Sequence, residues 1–395
     1  MRILSRLHAC AGATFLLFLY FIWLQYSTYI DNSTQANWPG KAHRIVVFGD
    51  DWSDTGNYRV SPPPQSWVGT RDPDRGEVWV ETLCKELTCD TIDNFARSLP
   101  ETASAGSMVD ADVSAQATSR NSNDGIVTSF DFKTQVRQFL TYDKGSRYIP
   151  KRFRRVDQRT VFTVFFGLWD LLEYPDLHVE FAMRAIENSL TALFQNLDVL
   201  ADHATVPIKV VIPSMLDVTF LPRFQSRKNA TQEHFAEKQH HLVFLWAYWN
   251  NVLFQRATQW TKGKVFMPDL NTLIMDQVRA KQLHSRHISD ASGSSEQASL
   301  FEFVEQPCLS SKRGSSVTDL QAAAIEKCLD PALHLFWDDL HLSGTAHRQI
   351  GRHAANLIRT NQTVNPERAT NGSATNASFD GQEGEGFNLK LPPGY

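Results

Sequence analysis

Short runs of apolar, β-branched residues alternate with amphipathic segments along the chain, as in a parallel sheet whose strands are joined by helices. Arg44-Ile45-Val46-Val47-Phe48 predicts a buried strand ending at Gly49. Trp79 to Leu87 predicts an amphipathic helix, and Thr91-Ile92-Asp93-Asn94-Phe95-Ala96 a returning strand. Thr160 to Phe166 is a near-continuous apolar strand stopped by Gly167. A helix from about Phe181 to Leu200 then leads to the strand Ile208-Lys209-Val210-Val211-Ile212, closed by Pro213. His241 to Phe254 predicts a buried helix, and Lys264-Val265-Phe266-Met267 a further strand. Ala346, Ile350, Ala354 and Leu357 mark the apolar face of a C-terminal helix. Strand, helix, strand recurs about five times, so the expected architecture is an α/β three-layer sandwich with a parallel sheet over residues 43–360. Two stretches break the pattern. Residues 98–127, rich in Ser, Ala, Asp and Asn, predict a mobile surface insertion, and 361–395, rich in Asn and Gly, a disordered tail.

Ahead of this region, Arg2 and Arg6 precede an uncharged stretch from Ala9 to Gln25 that has no polar face. It is just long enough to cross a bilayer. The expectation is a cytosolic N-terminus over 1–8, a signal anchor forming one transmembrane helix over 9–26, and a stalk over 27–42. A cleaved signal peptide is the alternative. Positive charge before the span alone places the remainder in the lumen or outside the cell, a single-pass type II membrane protein of the secretory pathway. Asn-x-Ser/Thr acceptors at Asn32, Asn229, Asn361, Asn371 and Asn376 agree, the last three gathered at the start of the tail and within it. Four cysteines lie beyond the span: Cys84, Cys89, Cys308 and Cys328. An even number in an oxidising lumen reads as two disulfides, most simply Cys84 with Cys89 and Cys308 with Cys328, among three possible pairings. A zinc site is the rival reading, although neither pair has the tight C-x2-C form. The run Lys151-Arg152-Phe153-Arg154-Arg155 reads as a solvated loop, or as a site for a processing protease.

Charge narrows the functions. With 39 Lys plus Arg against 43 Asp plus Glu and no basic recognition helix, no nucleic-acid partner is expected. No Gly-rich phosphate loop is present, and His234, His240 and His241 lack a carboxylate at ligand spacing, so neither a metal nor a cofactor is expected. The aromatic stripe Phe244, Trp246, Tyr248, Trp249 and Phe254 reads as core rather than as a sugar platform.

Two blocks carry chemistry: Val47-Phe48-Gly49-Asp50-Asp51-Trp52-Ser53-Asp54-Thr55-Gly56-Asn57, and Phe336-Trp337-Asp338-Asp339-Leu340-His341-Leu342-Ser343-Gly344 before the last helix. Together they resemble the SGNH/GDSL hydrolases, whose first block reads FGDSxSDTGN and whose last reads WDxxHxS/T. The resemblance implies an SGNH/flavodoxin-like fold and ester hydrolysis, carbohydrate acetates included, with an acylated small molecule or glycan as partner. In that family the serine of the first block is the nucleophile, and Asp338 and His341 match the other two triad members. A His takes the proton from a serine hydroxyl, and a carboxylate holds the His and steadies the imidazolium. Gly49, Gly167, Trp169 and Asp170 match the oxyanion or pocket positions.

The chain departs from the family where that chemistry sits. Asp51 stands at the nucleophile, Trp169 replaces the oxyanion Asn, and the usual Gly of the second block, Asn94 to Pro100, is not evident. Losing one oxyanion donor costs about 10²–10³ in rate and losing the nucleophile about 10⁶. Ser53 and Ser98 are the nearby hydroxyls, Ser53 reading as a turn or capping group. Asp51 admits three roles: an ion-pair partner of His341 in an inactive pocket, a carboxylate nucleophile, or a metal ligand with Asp338 and His341. The functional expectation is a GDSL-lineage ester hydrolase with an atypical Asp51. The alternative is an inactive relative that binds a glycan or protein in the former cleft.

Overall fold

β1 (Arg44–Gly49) is buried along its whole length, as its unbroken apolar run requires of a strand covered on both faces. The computed structural model describes residues 17–18, 20–21, 42–58, 71–99, 106–118, 130–145, 159–225, 232–288, 299–311 and 325–364. After β1 come α1 (Trp79–Glu86), β2 (Thr91–Asn94), α2 (Ala111–Thr118), α3 (Phe132–Gly145) and β3 (Thr160–Phe165). Then follow α4 (Leu168–Glu173), α5 (Val179–His203), β4 (Ile208–Val211), α6 (Pro222–Gln225), α7 (Gln232–Gln259) and β5 (Gly263–Phe266). α8 (Leu270–Ser285), the small antiparallel pair β6 (Leu309–Ser311) and β7 (Ile325–Lys327), and α9 (Gly344–Thr360) complete the described fold.

The five-stranded sheet is parallel throughout, in the order β2-β1-β3-β4-β5. That is the order of flavodoxin-like doubly wound sheets. α9 packs against α1 and α8, while α5 packs against α2, α3 and α7; α1 and α3 both reach β1. Of the three interior strands, β1 and β3 are fully buried, whereas β2 and β5 at the edges are partly open.

Several expectations change. The presumed insertion is ordered from 106 to 118, with Met108 and Val109 in the core and α2 beyond them. Its small polar residues hide a short helix that is fixed from its N-terminal side, where Val109 N–H donates to Asp170 Oδ2 at 3.3 Å. The chain also stays on the fold past α9, Val364 N–H donating to the Val265 carbonyl at 3.1 Å. Both disulfides form in the simplest pairing, Cys84–Cys89 and Cys308–Cys328. Of the acceptor asparagines, Asn361 caps α9 with φ 54° and takes a hydrogen bond from Lys264 Nζ at 3.1 Å. Asn32, Asn229, Asn371 and Asn376 lie outside the described residues, as does most of 9–26, of which Leu17, Phe18, Tyr20 and Phe21 are helical. Among the described residues, no helix is long and apolar enough to cross a membrane.

Candidate active site

The turn leaving β1 carries Asp51. Gln135 grips the end of the strand, its Oε1 accepting from Gly49 N–H and its Nε2 donating to the Gly49 carbonyl, both at 2.9 Å. Asp50 shapes the turn: Oδ1 accepts from Trp52 N–H at 3.0 Å, and its carbonyl accepts from Ser53 and Asp54 N–H at 3.1 Å. Buried Asp54 ties this turn to the end of β2 and the segment after it, accepting from the Asn94 side chain and the Ser98 N–H, each at 2.7 Å. Asp51 is thereby held at the carboxyl end of β1 beside β3. Strand order reverses there, and open α/β sheets bind ligands at such points.

Asp338 and His341 come from the loop before α9. A bridge between Phe336 and Leu342, with Trp337 N–H donating to the His341 carbonyl at 2.8 Å, closes this loop. Asp338 Oδ1 accepts from the N–H groups of Leu340 and His341 at 2.8 and 2.7 Å, which aims the carboxylate back at the imidazole. His341 Nδ1 lies 2.8 Å from Asp338 Oδ2, and its Nε2 lies 2.6 Å from Asp51 Oδ2. Asp51 Oδ1 accepts from the Trp169 indole Nε1–H at 3.0 Å. Asp338, His341, Asp51 and Trp169 thus form one continuous line of hydrogen bonds.

Behind this line lies buried Arg75, its Nη1 donating to the Asp51 carbonyl at 3.4 Å and its Nη2 to His347 Nε2 at 3.3 Å. A guanidinium has no acceptor, so His347 Nε2 must accept and the ring stays neutral. Burial, then the charge of Arg75, holds the His347 pKa well below its ordinary value.

Burial and Arg75 oppose a charge on His341, but Asp338 and Asp51 overcome both and raise its pKa to about 9. Burial would raise Asp51, yet the charge and hydrogen bond of His341, then the Trp169 indole, bring it below its ordinary value. Asp338 is held well below the carboxylate range, burial being overcome by His341 and Arg75. Near neutral pH two carboxylates therefore face one imidazolium and one guanidinium, and the charges cancel. Asp50 goes the other way: burial and the neighbouring Asp51 charge raise its pKa well above normal.

The family model of the GDSL-like lipase/acylhydrolases matches residues 45–354. The chain belongs to this family. Among solved structures it is similar to a member of the lipolytic protein G-D-S-L family from Veillonella parvula DSM 2008, at 12% identity and TM-score 0.33, over 80% of this chain and 98% of that one. No curated protein matches.

Within this GDSL-family site, Asp51, Asp338 and His341 converge as their motif positions imply. Of the four expected oxyanion or pocket residues, Trp169 reaches the triad. The Gly49 N–H is taken by Gln135. Gly167 opens α4 at φ 118°, where a Cβ would lie 2.4 Å from the Trp249 ring, so its role there is close packing. Asp170 turns away toward Val109 and Ser189, and burial raises its pKa to about 7. The Ser53 hydroxyl is buried and accepts from Trp79 Nε1 at 3.1 Å, so it does not substitute for the family serine. His341 stands between the two carboxylates with both ring nitrogens engaged. Among the described residues, no cluster of His, Cys, Asp and Glu could hold a metal ion. Sequence reasoning missed Arg75, Gln135, His347 and Gly106. Their only signals were a charged Arg71-Asp72-Pro73-Asp74-Arg75 run that reads as solvated, and lone polar or glycine residues.

Proposed function

We propose that this protein is a GDSL-family hydrolase in which the Asp51 carboxylate is the covalent nucleophile in place of the family serine. The observation that carries the reading is the 2.6 Å contact between Asp51 Oδ2 and His341 Nε2, the pairing a nucleophile needs with its proton carrier. A carboxylate requires no base to become nucleophilic, so a protonated His341 is compatible with attack and can serve the leaving group as an acid. The substrate class suggested by the family is an acylated small molecule or a glycan ester. The apolar Ala9 to Gln25 segment after Arg2 and Arg6, the glycosylation acceptors and the two disulfides support display on the luminal or extracellular side of a secretory membrane, as a type II protein above a glycosylated tail.

One observation favours a second reading, an inactive relative that binds a glycan or protein partner in the same cleft. Both Asp51 oxygens are already satisfied, by His341 and Trp169. The test is turnover by the full chain of a panel of aryl esters, acetylated sugars and small electrophiles such as styrene oxide, alongside Asp51→Ala, Asp51→Ser and His341→Ala. Hydrolysis lost in both alanine variants supports the carboxylate hydrolase. Inertness toward the whole panel, with esterase activity gained by Asp51→Ser, supports the inactive relative instead and turns the search to what its cleft binds.

A further inference from the structure

If Asp51 is the nucleophile, the chemistry of the site discriminates between the carbons it can attack. A carboxylate that adds to an ordinary ester carbonyl forms a tetrahedral intermediate with two possible leaving groups, an alkoxide and the carboxylate itself. The carboxylate, with an unperturbed pKa of about 3.9, is by far the weaker base and leaves first in most encounters, so ester cleavage by this route is slow even with an acid at hand. Asp51 is a still better leaving group than usual, because His341 and Trp169 stabilise its charge. Attack at a strained saturated carbon has no such return path: the ring bond is lost and a stable alkyl ester remains. The departing oxygen then needs a proton, and His341 faces Asp51 through Nε2.

We propose that this site opens epoxides to vicinal diols, with Asp51 as nucleophile and His341 as acid and then base. This rests on the carboxylate-nucleophile reading above and names its substrate class. In the first step an Asp51 oxygen forms a bond to a ring carbon while the carbon–oxygen ring bond breaks. The ring oxygen takes the Nε2 proton of His341, leaving a hydroxyalkyl ester of Asp51 and a neutral imidazole. Esterification also removes one of the two carboxylate charges that kept His341 protonated, so the same residue becomes a base at the moment one is needed. Asp338, bonded to Nδ1 at 2.8 Å, keeps the free lone pair on Nε2. In the second step water adds to Asp51 Cγ and gives one proton to His341. The diol oxygen leaves with the other, and both the carboxylate and the imidazolium are restored.

The acid is what favours an epoxide over an alkyl halide. A halide leaves without a proton, so it makes no use of the His341 acid that faces Asp51. The reacting groups are reachable, the His341 and Asp51 side chains being 19% and 11% exposed.

The test is a single turnover of styrene oxide by the detergent-solubilised full chain in water enriched in heavy oxygen. The expected result is label in the Asp51 carboxylate, found in its proteolytic peptide by mass spectrometry, with an unlabelled diol. His341→Gln, which lacks the acid, should form neither diol nor an Asp51 adduct, and Asp51→Ala should lose on the order of 10⁴-fold or more in rate while keeping the native circular dichroism. Label in the first diol formed, with none in Asp51, overturns the covalent step. Aryl-ester cleavage that depends on Asp51, without any diol, overturns the epoxide class and leaves the carboxylate hydrolase standing. Failure of every substrate, with esterase activity appearing in Asp51→Ser, brings both down.

Discussion

The pyrrole side of the Trp169 indole lies against Gly106, so closely that a Cβ on Gly106 would sit 2.0 Å from Nε1. Gly106 therefore sets where that N–H points, and it points at Asp51 Oδ1. The glycine cannot easily yield, because its neighbours are tied down: Ser107 Oγ donates to the Arg97 carbonyl at 3.0 Å and Val109 N–H to Asp170 at 3.3 Å. A residue far from the triad in sequence thus controls a donor to its central carboxylate.

Gly106→Ala should expel the indole and deprive Asp51 of its neutral donor. A hydrogen bond to a charged group contributes about 1.5–3 kcal/mol, so the apparent pKa of Asp51 should rise. The measurement is the acid limb of the rate profile, or carboxylate titration by infrared spectroscopy if no substrate is turned over. Trp169→Phe should reproduce the shift. A shift in Trp169→Phe that is missing in Gly106→Ala would show that the glycine does not position the ring.

His341 should make stability depend on alkaline pH. Its folded pKa is raised to about 9, with burial and Arg75 opposing and the two carboxylates prevailing. A raised pKa contributes stability that is fully present below the unfolded value of about 6.5 and is lost as pH climbs through about 9, in total on the order of 3 kcal/mol. Asp51 and Asp338, both lowered, act oppositely, their contributions present above about pH 4 and lost as pH falls through their folded values. Urea midpoints between about pH 6 and 10 should fall for the native chain, and the difference from His341→Gln should shrink over that range. A constant difference would refute the assignment.

What could be read in advance follows burial and sequence distance. β1 and β3 are covered on both faces, so they leave continuous apolar runs, and the spacing of Asp338 and His341 within one tight loop is local. α8 was not visible: Leu270, Ile274 and Val278 are its buried side chains, too thin a stripe for a clear periodicity. The aromatic helix was half legible, since Trp249 is buried but Phe254 is exposed and the Tyr248 hydroxyl donates to Glu187. Arg75 was hidden because its surroundings are set by long-range packing: a charged run reads as solvated until the fold brings His347 and Asp51 onto it.

Arg44 presents a similar buried charge at the opposite end of β1. Its guanidinium pairs with buried Asp93 and, at 3.3 Å, with Asp143, which also bonds His203 Nε2 at 2.9 Å. Arg44→Met should cost about 3–5 kcal/mol by stranding the Asp93 carboxylate, whereas adding Asp93→Leu should recover most of the loss. Denaturant unfolding of the single and double variants measures both. A double variant no more stable than Arg44→Met would show that the stranded charge is not the cause.

The two disulfides should differ in both stability and function. Cys308–Cys328 spans 20 residues and Cys84–Cys89 spans 5. Restriction of the unfolded chain then assigns them about 3 and about 2 kcal/mol respectively. The longer loop also touches the site: Cys308 N–H donates to the Phe336 carbonyl at 3.0 Å and Leu309 N–H to the Trp337 carbonyl at 2.7 Å, immediately before Asp338. The shorter one lies between the end of α1 and the start of β2, at the opposite end of the sheet from the triad. Cys308→Ala with Cys328→Ala should therefore speed hydrogen exchange across 336–343 and lower the His341 pKa as its carboxylate partners loosen. Cys84→Ala with Cys89→Ala should lower the unfolding midpoint while leaving the His341 titration unchanged. Equal effects of the two pairs on His341, followed by imidazole NMR, would show that the Cys308–Cys328 loop does not brace the triad.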